Sequence, residues 1–232
     1  TTAAAVTAAG DIVSAAADNT VKIWDRNPAW NLVGRLGASA ESPLDLSKSP
    51  FADRVLALDF SSDGTKLATG GGEPSRSGEL MIWDVAKQTP LHTFADAHSD
   101  TVFGVEFSRD GRYLLSGAAD KFAKIFDVES GKHVKSFEGH THHVLDVAWR
   151  ADGTVIASAG ADNAIKVWDV TTGEQQRTIG GYAKQVTSLH FIGIGNNIVS
   201  SGGDKTVRYH KTFNGQTFRS FSGGTDYMYS AD

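Results

Sequence analysis

The chain has 232 residues, 40% hydrophobic and 21% charged with 25 glycines, which is enough apolar material for a sizeable core and a composition suited to a turn-rich structure. A net charge of −5 with no Lys/Arg cluster argues against nucleic acid as a partner, because such binding needs a cationic footprint. The absence of cysteine removes disulfides, thiol catalysis, thiolate zinc sites and covalent haem attachment, no apolar run reaches transmembrane length, and residues 1–10 lack the charged and apolar regions of a signal peptide.

Five copies of a unit of about 42 residues follow one another along the chain, a period that marks a β-propeller of four short strands per blade. The expected blades are 1–37, 51–94, 98–137, 140–179 and 182–221, with 225–232 as the start of a further blade. In the first, Ser14 and Asp18 precede Trp24-Asp25. In the second, Thr69 precedes Trp83-Asp84, and no Asp stands at the matching place. The third carries His98, Ser116, Asp120 and Phe126-Asp127, and the fourth His140, Ser158, Asp162 and Trp168-Asp169. The fifth has Tyr182 in the His column, then Ser200, Asp204 and His210-Lys211. Asp63-Gly64, Asp110-Gly111 and Asp152-Gly153 are predicted hairpin turns between first and second strands, since glycine tolerates the positive φ such turns require. No segment has convincing helical periodicity.

These columns resemble the WD-repeat family over essentially the whole chain. The resemblance implies an all-β propeller of four-stranded antiparallel blades, usually seven to a ring, in which His, Ser/Thr, Asp and Trp form a buried hydrogen-bond relay. Only the fourth unit carries the relay complete. Ser, His and Asp in one cluster invite a catalytic reading, but a group that recurs blade after blade and is buried between strands cannot reach substrate, so its role is structural. By alignment Thr1 matches Leu145 in mid-strand, so either the ring closes at five blades or, the favoured expectation, the five are part of a larger ring. The glycine-rich stretch LATGGGEPSRSGE at 67–79, with SSGGDKTVR at 200–208, resembles the propeller parts of planctomycete-type bacterial proteins that also carry c-type cytochrome modules. That resemblance implies a bacterial, periplasmic or envelope-associated protein, with a cytoplasmic location as the alternative. No haem attachment motif is present, and no cofactor or metal is expected.

Two insertions mark the second blade. From Thr69 to Asp84 is 15 residues where Ser14 to Asp25 is 11, and from Asp25 to Phe51 is 26 where Asp127 to His140 is 13. The inserts that hold the four and 13 added residues, 73–78 and 38–50, are expected on the rim that carries the relay. In the resembling family, partners touch the first residues of each inner strand, which here point to Arg54, Leu56, Phe103, His143, Leu145, Tyr227 and Tyr229, with Arg76 in the shorter insert open to an acidic partner. Aromatic and arginine side chains at such places are the usual interface anchors. A last column, Asp59, Glu106, Ala148 and His190 with Asp146 on the same face, is expected to line the channel. Its two readings are a hydrated polar wall or a metal or substrate site. The expected function is a non-enzymatic scaffold that binds one or more proteins and does not insert into a membrane. The alternative is an enzyme or redox-complex subunit using the channel residues.

Overall fold

The computed structural model describes residues 3–6, 12–16, 20–24, 32–36 and 49–230. Twenty strands fall among them, in five four-stranded antiparallel sheets, each built from four consecutive strands. The first blade comprises β1 (Ala3–Val6), β2 (Ile12–Ala16), β3 (Thr20–Trp24) and β4 (Leu32–Leu36), and the second β5 (Val55–Phe60), β6 (Lys66–Gly71), β7 (Gly78–Asp84) and β8 (Thr89–His98). The third holds β9 (Val102–Phe107), β10 (Tyr113–Ala118), β11 (Phe122–Asp127) and β12 (His133–Glu138). The fourth holds β13 (Val144–Trp149), β14 (Val155–Gly160), β15 (Ile165–Asp169) and β16 (Gln175–Ile179), and the fifth β17 (Val186–Phe191), β18 (Asn197–Gly202), β19 (Thr206–Lys211) and β20 (Thr217–Ser222).

The innermost strands succeed one another around a channel, β1 beside β5, then β9, β13 and β17. Alternation along each strand sends one set of apolar side chains to the preceding blade and the other to the next. The core is therefore a series of layers between blades. Between the first and second lie Val13, Val21, Leu36, Phe51, Leu67 and Trp83, and between the fourth and fifth lie Ile165, Val167, Ile179, Val186, Leu189 and Phe191. A small residue on each second strand lets the next blade approach. A Cβ on Gly70 would sit 2.7 Å from Val102 and one on Gly117 2.6 Å from Val144.

The hairpin glycines Gly64, Gly111 and Gly153 have φ of 69°, 69° and 71°, as their turns demand. Two features depart from the sequence expectation. In the first blade Ala4 faces Ser14 as Val147 faces Ser158, so along β1 the alignment to the fourth blade shifts by one residue; Thr1 itself lies outside the described residues. In the second, β8 runs past residue 94 to His98, where it pairs with Gly78 beyond a bulge.

Candidate functional site

The relay of the fourth blade is complete. Trp168 Nε1 donates to Ser158 Oγ at 2.9 Å, the Ser158 hydroxyl meets His140 Nε2 at 2.8 Å, and His140 Nδ1 donates to Asp162 at 3.0 Å. Asp162 as a carboxylate can only accept, so the ring proton facing it is on His140 Nδ1. Burial pulls His140 and His98 below the ordinary imidazole value against the opposing pull of their aspartates. The third blade repeats the set with His98 at 2.8 Å from Ser116 and 2.9 Å from Asp120. Phe126 has no N–H to give Ser116. In the first blade Trp24 reaches Ser14 at 2.8 Å, while Asp18 lies outside the described residues. In the second, Trp83 reaches Thr69 at 3.0 Å and Phe51 packs on Trp83 in the His column.

The fifth blade, which lacks both the His and the Trp of the relay, builds a substitute for it. Tyr182 and His210, which replace His and Trp, meet each other: the Tyr182 hydroxyl lies 2.6 Å from both Ser200 Oγ and His210 Nε2. His210 Nδ1 then reaches Thr217 at 3.1 Å. Asp204, released from a histidine, pairs with Arg208 at 2.7 Å, whose guanidinium covers the Tyr182 ring. Burial lowers the His210 pKa to about 4 and raises that of Tyr182 to about 12. Each substitution is visible in the sequence, but their mutual repair appears only when β17 to β20 are assembled. Ser158, Ser116 and Ser200 are fully buried, so none can act as a nucleophile on a substrate.

The channel opens into a cavity of about 910 Å³, with Leu56, Phe103, Thr187 and Tyr229 among its lining. Phe103 stacks on His143 with ring centres 6.0 Å apart, and Tyr227 lies 5.4 Å from Tyr229, which is 77% exposed. Leu145 and His143 are half-buried beside them, while Arg54 is exposed and 3.6 Å from Asp53. Residues Arg54, Leu56, Phe103, His143, Leu145, Tyr227 and Tyr229 therefore all come from the start of inner strands or the segment after β20. The insert at 73–78 is folded: Ser77 and Arg76 donate to the Glu73 carbonyl, and Ser75 donates to Asp100 in the next blade. Arg76 does not stand free, because its guanidinium is 2.6 Å from Glu73. Of the longer insert, 38–50, only Ser49 and Pro50 are described.

The channel carboxylates bind protein amides. Asp59 accepts from Phe107 N at 2.6 Å, Glu106 from Trp149 N at 2.5 Å and Asp146 from Leu189 N at 2.8 Å. Each reaches the inner strand of the following blade. Where Ala148 has no carboxylate, Asp146 two residues earlier makes the bridge through Oδ2, and its Oδ1 lies toward the preceding blade, 2.9 Å from where a Cβ on Gly104 would sit. His190 is exposed in the same lining. Among the described residues no group of three or more His, Asp or Glu is placed to hold a metal ion, and no helix is long and apolar enough to cross a membrane.

Blades of this register with Trp–Ser–His–Asp relays define a WD-type β-propeller. Residues 2–172 match the family described as nucleolar protein 10-like, N-terminal domain, and residues 173–211 match the WD domain, G-beta repeat. The chain belongs to this nucleolar protein 10-like β-propeller family, whose members are generally scaffolds. It is also similar to telomerase protein component 1 of Rattus norvegicus, 33% identical over 132 residues, which are 56% of this chain and 5% of that protein. The chain thus spans a small fraction of that relative's length.

Proposed function

We propose that the chain is a non-catalytic protein-interaction scaffold whose platform is the relay-side mouth of the channel. One observation carries this reading: apolar and aromatic side chains gather at that mouth on the ends of rigid strands, whereas the Ser–His–Asp sets are spent on internal bonds. The partner is read as protein, since the cavity lining contains no Lys or Arg and the net charge is −5. The test is binding of a partner captured from the native source. Phe103→Ala should weaken it by roughly tenfold or more, as expected for an aromatic anchor, and Lys132→Ala, in a turn on the opposite rim, should leave it unchanged. Loss confined to the Lys132 variant would place the platform on the other face.

The five blades are read as an arc of a larger ring, seven in the family they resemble. Val207, Tyr209 and Phe221 occupy the register of Ile165, Val167 and Ile179. Ile179 is 3% exposed beneath the fifth blade, but Phe221 is 52% exposed. The Thr187 hydroxyl also bonds the Met228 carbonyl at 2.5 Å, which supports 225–232 as the start of a further first strand. Counting blades by electron microscopy on protein from the native source decides the number. The likeness of 67–79 and 200–208 to planctomycete propellers extends the reading to a subunit of a bacterial, envelope-associated assembly, and fractionation of the source cells separates envelope from cytoplasm. The competing reading, an enzyme or redox subunit using Asp59, Glu106 and His190, predicts stoichiometric metal or turnover that a triple alanine variant abolishes.

A further inference from the structure

We propose that the fifth blade carries a second docking surface, on the rim away from the channel mouth, for a protein segment that sets Asp or Glu side chains beside apolar ones.

The turns of that rim follow one plan, from which the fifth blade departs. Between first and second strands, Asp63, Asp110 and Asp152 each accept the backbone amide two residues on, and Ile194 stands in their place. Between third and fourth strands, Asp84, Asp127 and Asp169 accept the amide three residues on, and Lys211 stands in their place. Phe213 follows where those blades have Ala86, Glu129 and Thr171. The second to fourth blades thus each use two carboxylates to cap the rim, and the fifth has an isoleucine and a cation instead.

The changes meet at one place. Thr212 donates from its amide and its hydroxyl to the Asn196 carbonyl, at 2.7 and 3.0 Å, which holds the two turns together. Lys211 Nζ lies 6.0 Å from the centre of the Phe213 ring and 5.4 Å from that of Phe218. Ile194, Phe213 and Phe218 are 81%, 61% and 60% exposed. The open face of the last blade is not the cause. Val134 and Gln176 hold the Phe218 position in the third and fourth blades, and Glu129 and Thr171 that of Phe213. All four are exposed although another blade follows each, as are Asp110 and Asp152 in the place of Ile194. A further blade would leave the patch open, and an exposed apolar patch with polar surroundings marks an interaction site.

Charge names the occupant. Residues 182–221 carry Lys184, Lys205, Arg208, Lys211 and Arg219 against one carboxylate, Asp204, a net +4 within a chain of net −5. Asp204 is paired with Arg208, and no Asp or Glu lies between 205 and 225. Opposite charges steer association and fix register, and like charges penalise the wrong partner, so the complement is acidic, with apolar side chains to cover Ile194, Phe213 and Phe218. Aliphatic Ile194 offers nucleic-acid bases no ring to stack on. The patch also runs from the rim turns on to β20, the outer strand of its sheet, a bent surface that a polypeptide follows and a flat bilayer does not.

The experiment is selection of random short peptides displayed on phage against the 232-residue chain, with the affinities of the selected peptides then measured by fluorescence anisotropy. The selected peptides should combine Asp or Glu with Leu, Ile or Phe and bind less tightly as salt is added. Lys211→Asp and Ile194→Asp restore the residues of the second to fourth blades and so keep the fold, and each should weaken binding by about tenfold or more. Glu129→Ala, at the Phe213 position of the third blade, should leave binding unchanged. Phosphatidylglycerol vesicles and polyuridylate are the alternative probes. Selection of no acidic peptide, acidic peptides indifferent to both Asp variants, or Lys211-dependent binding to the vesicles or to polyuridylate alone would overturn the proposal.

Discussion

At the scale of single residues, buried polar atoms here are answered by specific partners, and the cost of removing one can be stated. Asp162 receives His140 Nδ1–H and the Thr141 amide, so Asp162→Ala leaves donors stranded and should lower stability by about 1–3 kcal/mol. Denaturant melts check this. His210 offers a test by pH. Its folded pKa is depressed to about 4 from an ordinary value near 6.5, so its contribution is fully present above about pH 6.5 and is lost as pH falls through the folded value. The full effect is on the order of 3 kcal/mol. His210→Trp, which restores the residue of the first, second and fourth blades, should flatten that part of the profile. Most of the relay was legible because its members recur at fixed spacing. The fifth blade was not, because Tyr182 and His210 look like two separate losses until the strands bring them within 2.6 Å.

At the scale of strands and turns, alternation of apolar residues, Asp-Gly pairs and the Trp column located the blades. Connections were less legible. The internal ion pair of Arg76 with Glu73 depends on how 72–77 folds back, with Ser75 at a φ of 61°, and no spacing rule anticipates it. The extension of β8 to His98 likewise depends on a bulge. Glycines in these elements serve two different purposes, and substitution separates them. Gly117→Val would drive a side chain into Val144 and Val147 and should cost about 1–3 kcal/mol or more through overpacking. Gly111→Ala meets nothing within 4 Å but sits at a φ of 69°, so it should cost only about 1–2 kcal/mol of backbone strain. Equal losses in thermal melts would contradict the distinction.

At the scale of the whole molecule, the two families of buried ionisable groups act in opposite senses. His98, His140 and His210 withdraw stability as pH falls, and Asp59 and Glu106, whose folded pKa values burial raises, withdraw it as pH rises. Unfolding midpoints plotted against pH should therefore pass through a maximum near neutrality, roughly between pH 6 and 7.5. The channel column was legible in the sequence as a polar wall, but its bridging of successive blades was not, because the amides that meet it are 43 to 48 residues away, in the next repeat.

The small residue on each second strand has a consequence for how such a chain can change over time. Gly70 accommodates Val102 as Gly117 accommodates Val144, so the leading edge of one blade fits the trailing face of another by the same contact. Duplicating or deleting a whole repeat would leave every neighbour-to-neighbour seam intact and alter only the circumference. The seams therefore specify the order of succession without specifying a total, and the number of repeats must be settled where the circle shuts.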